Sequence, residues 1–261
     1  PATLRAVDTG PHGLHGRFVN SPLRGVTGHA WSSLEFDFRR APEEYAAVHF
    51  HPTDPADARW DRSFAWRVPD EARSGIYAAR LTAGDAVDHI PFVVLPLAGR
   101  RQRVAVLLPT MTYLAYANVR RSNKAAPNRP LHWDPIPGHH DRYLAGHPEY
   151  GRSVYDKHAD GSPVCFSSHL RPVPNLRPDY RMVYVDAPRH LGADLYLIDW
   201  LEAMGIEYDV LTDHQLHRDG AAAPAKHEVG ITGRHPEDVS RPRLAPRGAR
   251  VGAARGAGRG G

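Results

Sequence analysis

The alternation of apolar and polar positions changes character twice along this 261-residue chain. Residues 1–30 carry only short apolar pieces between glycines and prolines, too little to close a core alone. From Ser32 to Pro96 the pattern is that of β-structure. "SLEFDF" (33–38) and "YAAVHFH" (45–51) alternate apolar with polar residues. "FAWRV" (64–68), "GIYAARLTAG" (75–84) and "IPFVVLP" (90–96) follow, parted by Pro, Asp and Gly clusters. Short strands at this spacing predict a β-sandwich-like domain over residues 31–97, with "GDAVDH" as a hairpin connection.

After Ala98-Gly99 the alternation stops. "RVAVLLP" (103–109) is a continuous apolar run, as a strand covered on both faces requires. "GADLYLIDWLEAMG" (192–205) spaces Leu195, Ile198, Trp200, Leu201 and Met204 at helical intervals, with Gly205 as the stop. "IEYDVLT" (206–212) and "HEVGITG" (227–233) read as further buried strands. This order predicts a partial parallel α/β domain over residues 98–238, with the three strands as neighbours and the helix across one face. Residues 122–180 between them are rich in Pro, Gly and His, too long for an inert connection inside a compact domain.

Composition narrows the classes. At 41% hydrophobic and 24% charged the chain has the make-up of an ordinary globular protein, and no run approaches the roughly 18 apolar residues of a membrane span. A net charge of +4 points toward nucleic acid until the basic residues are located. Six arginines and no acid lie in residues 239–261; without them the remaining chain carries −2. No nucleic-acid partner is therefore expected. The tail, "VSRPRLAPRGARVGAARGAGRGG", lacks aromatics and is expected to be disordered, with a composition that matches a frame-shifted reading of GC-rich DNA or a truncation. "PATLRAVDTG" has no signal-peptide pattern and no initiator Met, so a fragment or a processed piece is expected. A single cysteine, Cys165, excludes an internal disulfide and a cysteine-based zinc cage, and fits a reducing, cytoplasmic setting.

Several stretches carry candidate chemistry. His49 and His51 lie two apart, on one side of a strand, which makes half a zinc site or, more commonly, two exposed sheet positions. His139-His140 falls in a Pro/Gly loop and is expected at the surface. Cys165, between Val164 and Phe166, lacks the glycine-flanked turn of a nucleophile elbow and is expected to be a small core residue. "YGRSVYDKHADGSPV" (150–164) crowds Tyr155, Asp156, His158 and Asp160 into a loop with turns fixed by Asp-Gly and Gly-Ser; alone, it also describes a solvated polar loop. "LLPTMTYLAYANVRR" (107–121) sets Tyr113 and Tyr116 just past a strand, and "ITGRHPEDVS" sets His235-Pro236-Glu237 just past another. Ligands of open α/β sheets bind beyond the carboxyl ends of strands, although an acid there serves equally well as a helix cap.

Four of these stretches, in order, resemble the large subunit of N,N-dimethylformamidase and its relatives: "RSGIYAARLTAGDAVDHIPFVVLP", "PTMTYLAYAN", "SVYDKHADGSPVCFSSHLRP" and "HLGADLYLIDWLEAMGIEYDVLTDHQLH…ITGRHPE". The resemblance implies that residues 1–30 end a lectin-like β-domain and that the α/β part is like class I glutamine amidotransferases. It implies a mononuclear, non-haem ferric iron held by Tyr116, Tyr155 and Glu237, with Tyr113 packing instead and His235 orienting water or a ligand. It further implies an amidohydrolase cleaving the C–N bond of N-substituted formamides or related small amides, a small partner subunit and homo-oligomers. Hard ferric iron suits anionic oxygen donors, and a bound cation favours the phenolate of a group that titrates near ~10. Family members continue beyond the "HPE" string, so the chain is also read as a truncated member whose activity the truncation removes. The competing expectation is a non-catalytic β-sandwich module, binding carbohydrate or protein, joined to a degenerate α/β remnant.

Overall fold

A computed structural model of the chain describes residues 4–54, 57–120, 137–183, 185–220 and 227–236. Glu237 and the Arg/Gly-rich tail lie outside the described residues.

The N-terminal part is built from small antiparallel pairs. β1 (Arg5–Ala6) pairs with β2 (Gly16–Arg17), and β3 (Leu23–Val26) pairs with β4 (Ala47–His49). β5 (Gly75–Ala83) and β6 (Ala86–Val94) form the long expected hairpin, in register from Gly75↔Val94 to Ala83↔Ala86. Gly84 holds φ +58 in its two-residue turn, the left-handed conformation such turns demand.

These pairs correct the expected sandwich. Among the described residues the region 31–97 holds separate two-stranded sheets, and 33–38 and 64–68 form no strand. Locally the reason is visible at 33–38. The carboxylates of Glu35 and Asp37 accept from the backbone N–H groups of Asp37 and Arg39, so side chains occupy donors that a ladder needs. Leu34 and Phe36 are left exposed.

The strands of the α/β part pair as their apolar runs predict, although the one at 229–232 is mostly exposed rather than buried. β7 (Val104–Leu108) is central, with β10 (Tyr208–Thr212) and β11 (Val229–Thr232) parallel on either side. Val106, Leu108 and Val210 are fully buried against Leu201 and Ile198 of α3 (Leu191–Ala203). Trp200 and Met204 do not join that face and are exposed. The β5–β6 hairpin shares this core. Ile76 and Val93 pack on it, and Ser74 Oγ accepts from Val210 N (2.8 Å) while donating to Val94 O (3.1 Å).

Between β7 and α3 lie α1 (Thr110–Ala115), α2 (His139–Gly146), short 3₁₀ turns and the β8 (Arg181–Met182) and β9 (Ala187–Pro188) pair; α4 (Asp213–Asp219) follows β10. His139-His140 opens α2 rather than lying in a loop, and both rings face Asp179. Cys165 is exposed, not a core residue, because its segment runs as an extended surface loop. No helix among the described residues is long and apolar enough to cross a membrane.

Candidate functional site

β7 ends at Leu108, and Pro109 turns the chain directly into α1. The two tyrosines of this turn go opposite ways. Tyr113 points into the core, and its hydroxyl donates a short hydrogen bond to the carboxylate of Asp194. Burial first, and then the Asp194 charge, drives the phenol far above its usual range, so Tyr113 stays a neutral donor. Asp194 is itself buried, which raises its carboxyl, and its other oxygen accepts from Arg234 N (2.7 Å). One carboxylate therefore ties the exit of β11 to α1. Gly233 makes this approach possible: a Cβ there would run into Asp194 and lie 2.7 Å from Pro109 Cδ.

Tyr116 caps the C-terminal end of α1 and turns outward. Its ring stacks on Tyr155, with centroids 4.0 Å apart and planes at 25°, and lies 4.5 Å from the ring of buried His190. Tyr155 is 41% exposed, so the pair sits at the surface edge of the core.

A dense polar frame holds this pair. Asn118, fully buried with φ +59, donates to Tyr150 O and Pro172 O; its backbone N–H goes to Asn175 Oδ1 (3.0 Å). Asn175 Nδ2 donates in turn to Tyr116 O (2.9 Å), fixing the residue that carries the outward phenol. Val154 N donates to Ala115 O (3.0 Å), and Asp156 accepts from Arg120 N and Ser153 N. The two segments bearing Tyr116 and Tyr155 are thus bonded to each other on both sides of the stack. Beneath them Arg171, 2% exposed, donates to the carbonyls of Tyr150, Arg152, Ala117 and Ser168 and to Ser167 Oγ. Burial, then the Arg120 charge, pulls its guanidinium down to about 10, which leaves it charged at neutral pH.

Of the residues singled out in the sequence, the structure brings Tyr116 and Tyr155 into contact and leaves Tyr113 beneath them in the core. His235 follows β11 with φ +57 and lies near Asp194 on the same rim. Glu237 falls outside the described residues. Sequence reasoning missed Asp194, His190, Asn175 and Arg171. Asp194 had a signal: it shares the buried stripe of α3 with Leu191, Ile198 and Leu201, where an unpaired carboxylate is costly. A cleft of about 470 Å³, lined by Asn20, Thr53, Arg59, Glu149 and Gly151 among others, lies away from the stack and includes neither tyrosine.

Two stacked phenols on a rigid frame offer hard oxygen donors of the kind that ferric iron takes. The family described as "N,N-dimethylformamidase beta subunit-like, C-terminal" matches residues 24–258. The chain is similar to the N,N-dimethylformamidase beta subunits of Paracoccus aminophilus and of an Alcaligenes species, 40% identical to each over 238 residues. That overlap covers 90% of this chain and 31% of either relative, so the chain spans about a third of their length. The chain belongs to the N,N-dimethylformamidase beta subunit-like family.

Proposed function

From that membership we propose that the chain carries active-site elements of an amide hydrolase that cleaves the C–N bond of N,N-dimethylformamide or related N-substituted formamides. The observation that carries the reading is the Tyr116–Tyr155 stack at the C-terminal edge of the parallel sheet, in a family whose curated relatives bear the dimethylformamidase name. Tyr116 and Tyr155 would hold a ferric ion with Glu237 as the third donor, and the bound metal would supply Lewis acidity toward the amide carbonyl.

The chain's own residues do the rest. Asn175 and Asn118 fix the backbone beneath Tyr116, while Asp156 and Arg171 fix the loop beneath Tyr155, so the donors are set before any ligand arrives. Tyr113 and Asp194 share one proton-rich contact in the core and keep the ends of β7 and β11 together. His235, beside Asp194 on the rim, is suited to orient water or a donor carboxylate. Since the relatives are named as beta subunits, a smaller partner subunit and assembly into oligomers belong to the same proposal.

Release of dimethylamine from N,N-dimethylformamide tests the reading. Iron-loaded protein, alone or with its partner subunit, should release the amine, and Tyr155→Phe should abolish release while leaving the fold intact. Equal turnover by Tyr155→Phe would overturn it.

A further inference from the structure

A second constellation lies outside the tyrosine pair, where two histidine-bearing stretches of the sequence meet. His51 follows β4, and His158 lies in the 155–163 loop, 107 positions later. Their rings stack face to face, centroids 3.6 Å apart and planes at 3°. Asp54 sits beside both: its Oδ2 is 3.1 Å from His51 Nδ1 and its Oδ1 is 3.3 Å from His158 Nε2. The side chains of the two histidines are 5% and 2% exposed, and that of Asp54 is 11% exposed.

Hydrogen-bond directions fix what the outer nitrogen of His51 carries. Ser162 Oγ donates to the Asp160 carboxylate (2.6 Å), because a carboxylate has no proton to give. The same hydroxyl lies 2.7 Å from His51 Nε2, so it must accept there, and His51 Nε2 bears the proton. Asp160 Oδ2 reinforces this tautomer from 3.4 Å and binds His49 Nε2 at 3.1 Å. In neutral His51 the Nδ1 lone pair then faces an Asp54 oxygen 3.1 Å away, an arrangement relieved either by a second proton on the ring or by a metal cation between them. His158 Nδ1 lies 3.0 Å from Thr53 Oγ1, a hydroxyl that can accept from it and so leave Nε2 free to ligate. Its Nε2 is sealed from solvent and, among the described residues, has no hydrogen-bond geometry to a partner, Asp54 included.

We propose that His51 Nδ1, Asp54 and His158 Nε2 form a zinc(II) site. Tetrahedral zinc with bonds near 2.0–2.1 Å sets its donors about 3.3 Å apart, close to the separations seen here. Imidazole and carboxylate are donors that zinc takes readily, in contrast to the phenol set at Tyr116 and Tyr155. The outer nitrogens resting on Ser162 and Thr53 match the way metal-bound histidines are oriented from behind. Thr53 also lines the 470 Å³ cleft, so the cleft borders the segment that carries Asp54. Lone pairs lie in the ring planes, so binding must tilt the two rings out of their parallel stack. By joining the β4 exit to the loop that begins at Tyr155, the ion would fasten the N-terminal region to the tyrosine site. The inference stands whether or not the amidase reading does.

The test is zinc uptake by the whole chain, read by calorimetry and by the visible spectrum after cobalt(II) replacement. Wild-type protein should bind one zinc with a tetrahedral cobalt spectrum, and Tyr116→Phe should bind it equally. Asp54→Asn and His158→Gln should each lose it. Thr53→Val, which leaves all three donors in place, should weaken binding roughly 10–100-fold. No uptake by wild type, uptake unchanged in Asp54→Asn or His158→Gln, or Thr53→Val binding as tightly as wild type would each overturn the assignment.

Discussion

Replacing Arg171 with methionine removes the most heavily bonded side chain beneath the tyrosine pair while keeping most of its volume. Five contacts go: Ser168 O, Tyr150 O, Arg152 O, Ala117 O and Ser167 Oγ. They are not equal losses. Tyr150 O keeps the Asn118 amide, and Ser167 Oγ still donates to Leu114 O at 2.6 Å. The carbonyls of Ala117, Arg152 and Ser168 lose this donor. Each buried acceptor so stranded costs about 1–3 kcal/mol, partly offset because methionine needs no desolvation of a guanidinium. The net expectation is a loss of about 3–5 kcal/mol, which for a chain of this size lowers Tm by roughly 10 °C. Arg171→Lys should fall between the two, since one ammonium cannot fork to carbonyls on three sides. Thermal unfolding followed by circular dichroism measures both variants, with iron uptake measured at a temperature where each is folded. A Tm for Arg171→Met within about 2 °C of wild type, with iron uptake unchanged, would show that the frame does not position Tyr155.

Three further outcomes follow from the same contacts. Gly233→Ala should destabilise by about 1–3 kcal/mol in a denaturant melt, because the added methyl group meets Asp194 and Pro109; a neutral result would refute the close approach. Tyr113→Phe should cost about 1–3 kcal/mol by leaving the Asp194 carboxylate without its phenol donor, yet leave iron uptake unchanged. His214 has its pKa lowered, first by burial and then by the nearby His169 and His217 charges. Below the ordinary histidine value near 6.5 the unfolded chain therefore takes up the proton more readily, so stability is full above that pH and declines as pH falls. His214→Gln should flatten the decline between about pH 7 and 5 in a series of melts, and an unchanged slope would remove His214 from the account.

The parallel sheet was legible because buried strands need unbroken apolar runs, which "RVAVLLP" and "IEYDVLT" supply; "HEVGITG" pairs as expected but lies mostly exposed at the side of the sheet. The expected strand at 33–38 failed for the opposite reason: its alternation is genuine, but Glu35 and Asp37 hold their own backbone and Phe36 stays exposed, met only at its edge by Trp31 among the described aromatic rings. In the site, Tyr116 and Tyr155 were visible as unusual residues in unusual places. Their supports were not, since Asn118, Asn175 and Arg171 act through carbonyls distant in sequence, and no local pattern announces such a contact. His51 and His158 show the limit most directly. Each stretch reads alone as ordinary surface, and only the tertiary fold stacks the two rings against Asp54.

On the proposed reading Tyr116 and Tyr155, and not Tyr113, supply phenolate to a ferric ion. Visible absorption of the ferric-loaded chain tests it directly, since phenolate bound to ferric iron gives a charge-transfer band that carboxylate and imidazole do not. The expected spectrum has a tyrosinate band that loses intensity in Tyr116→Phe and again in Tyr155→Phe, and that Tyr113→Phe leaves unchanged. A chain that gives no such band, or one whose band vanishes with Tyr113→Phe and survives both of the others, would contradict it.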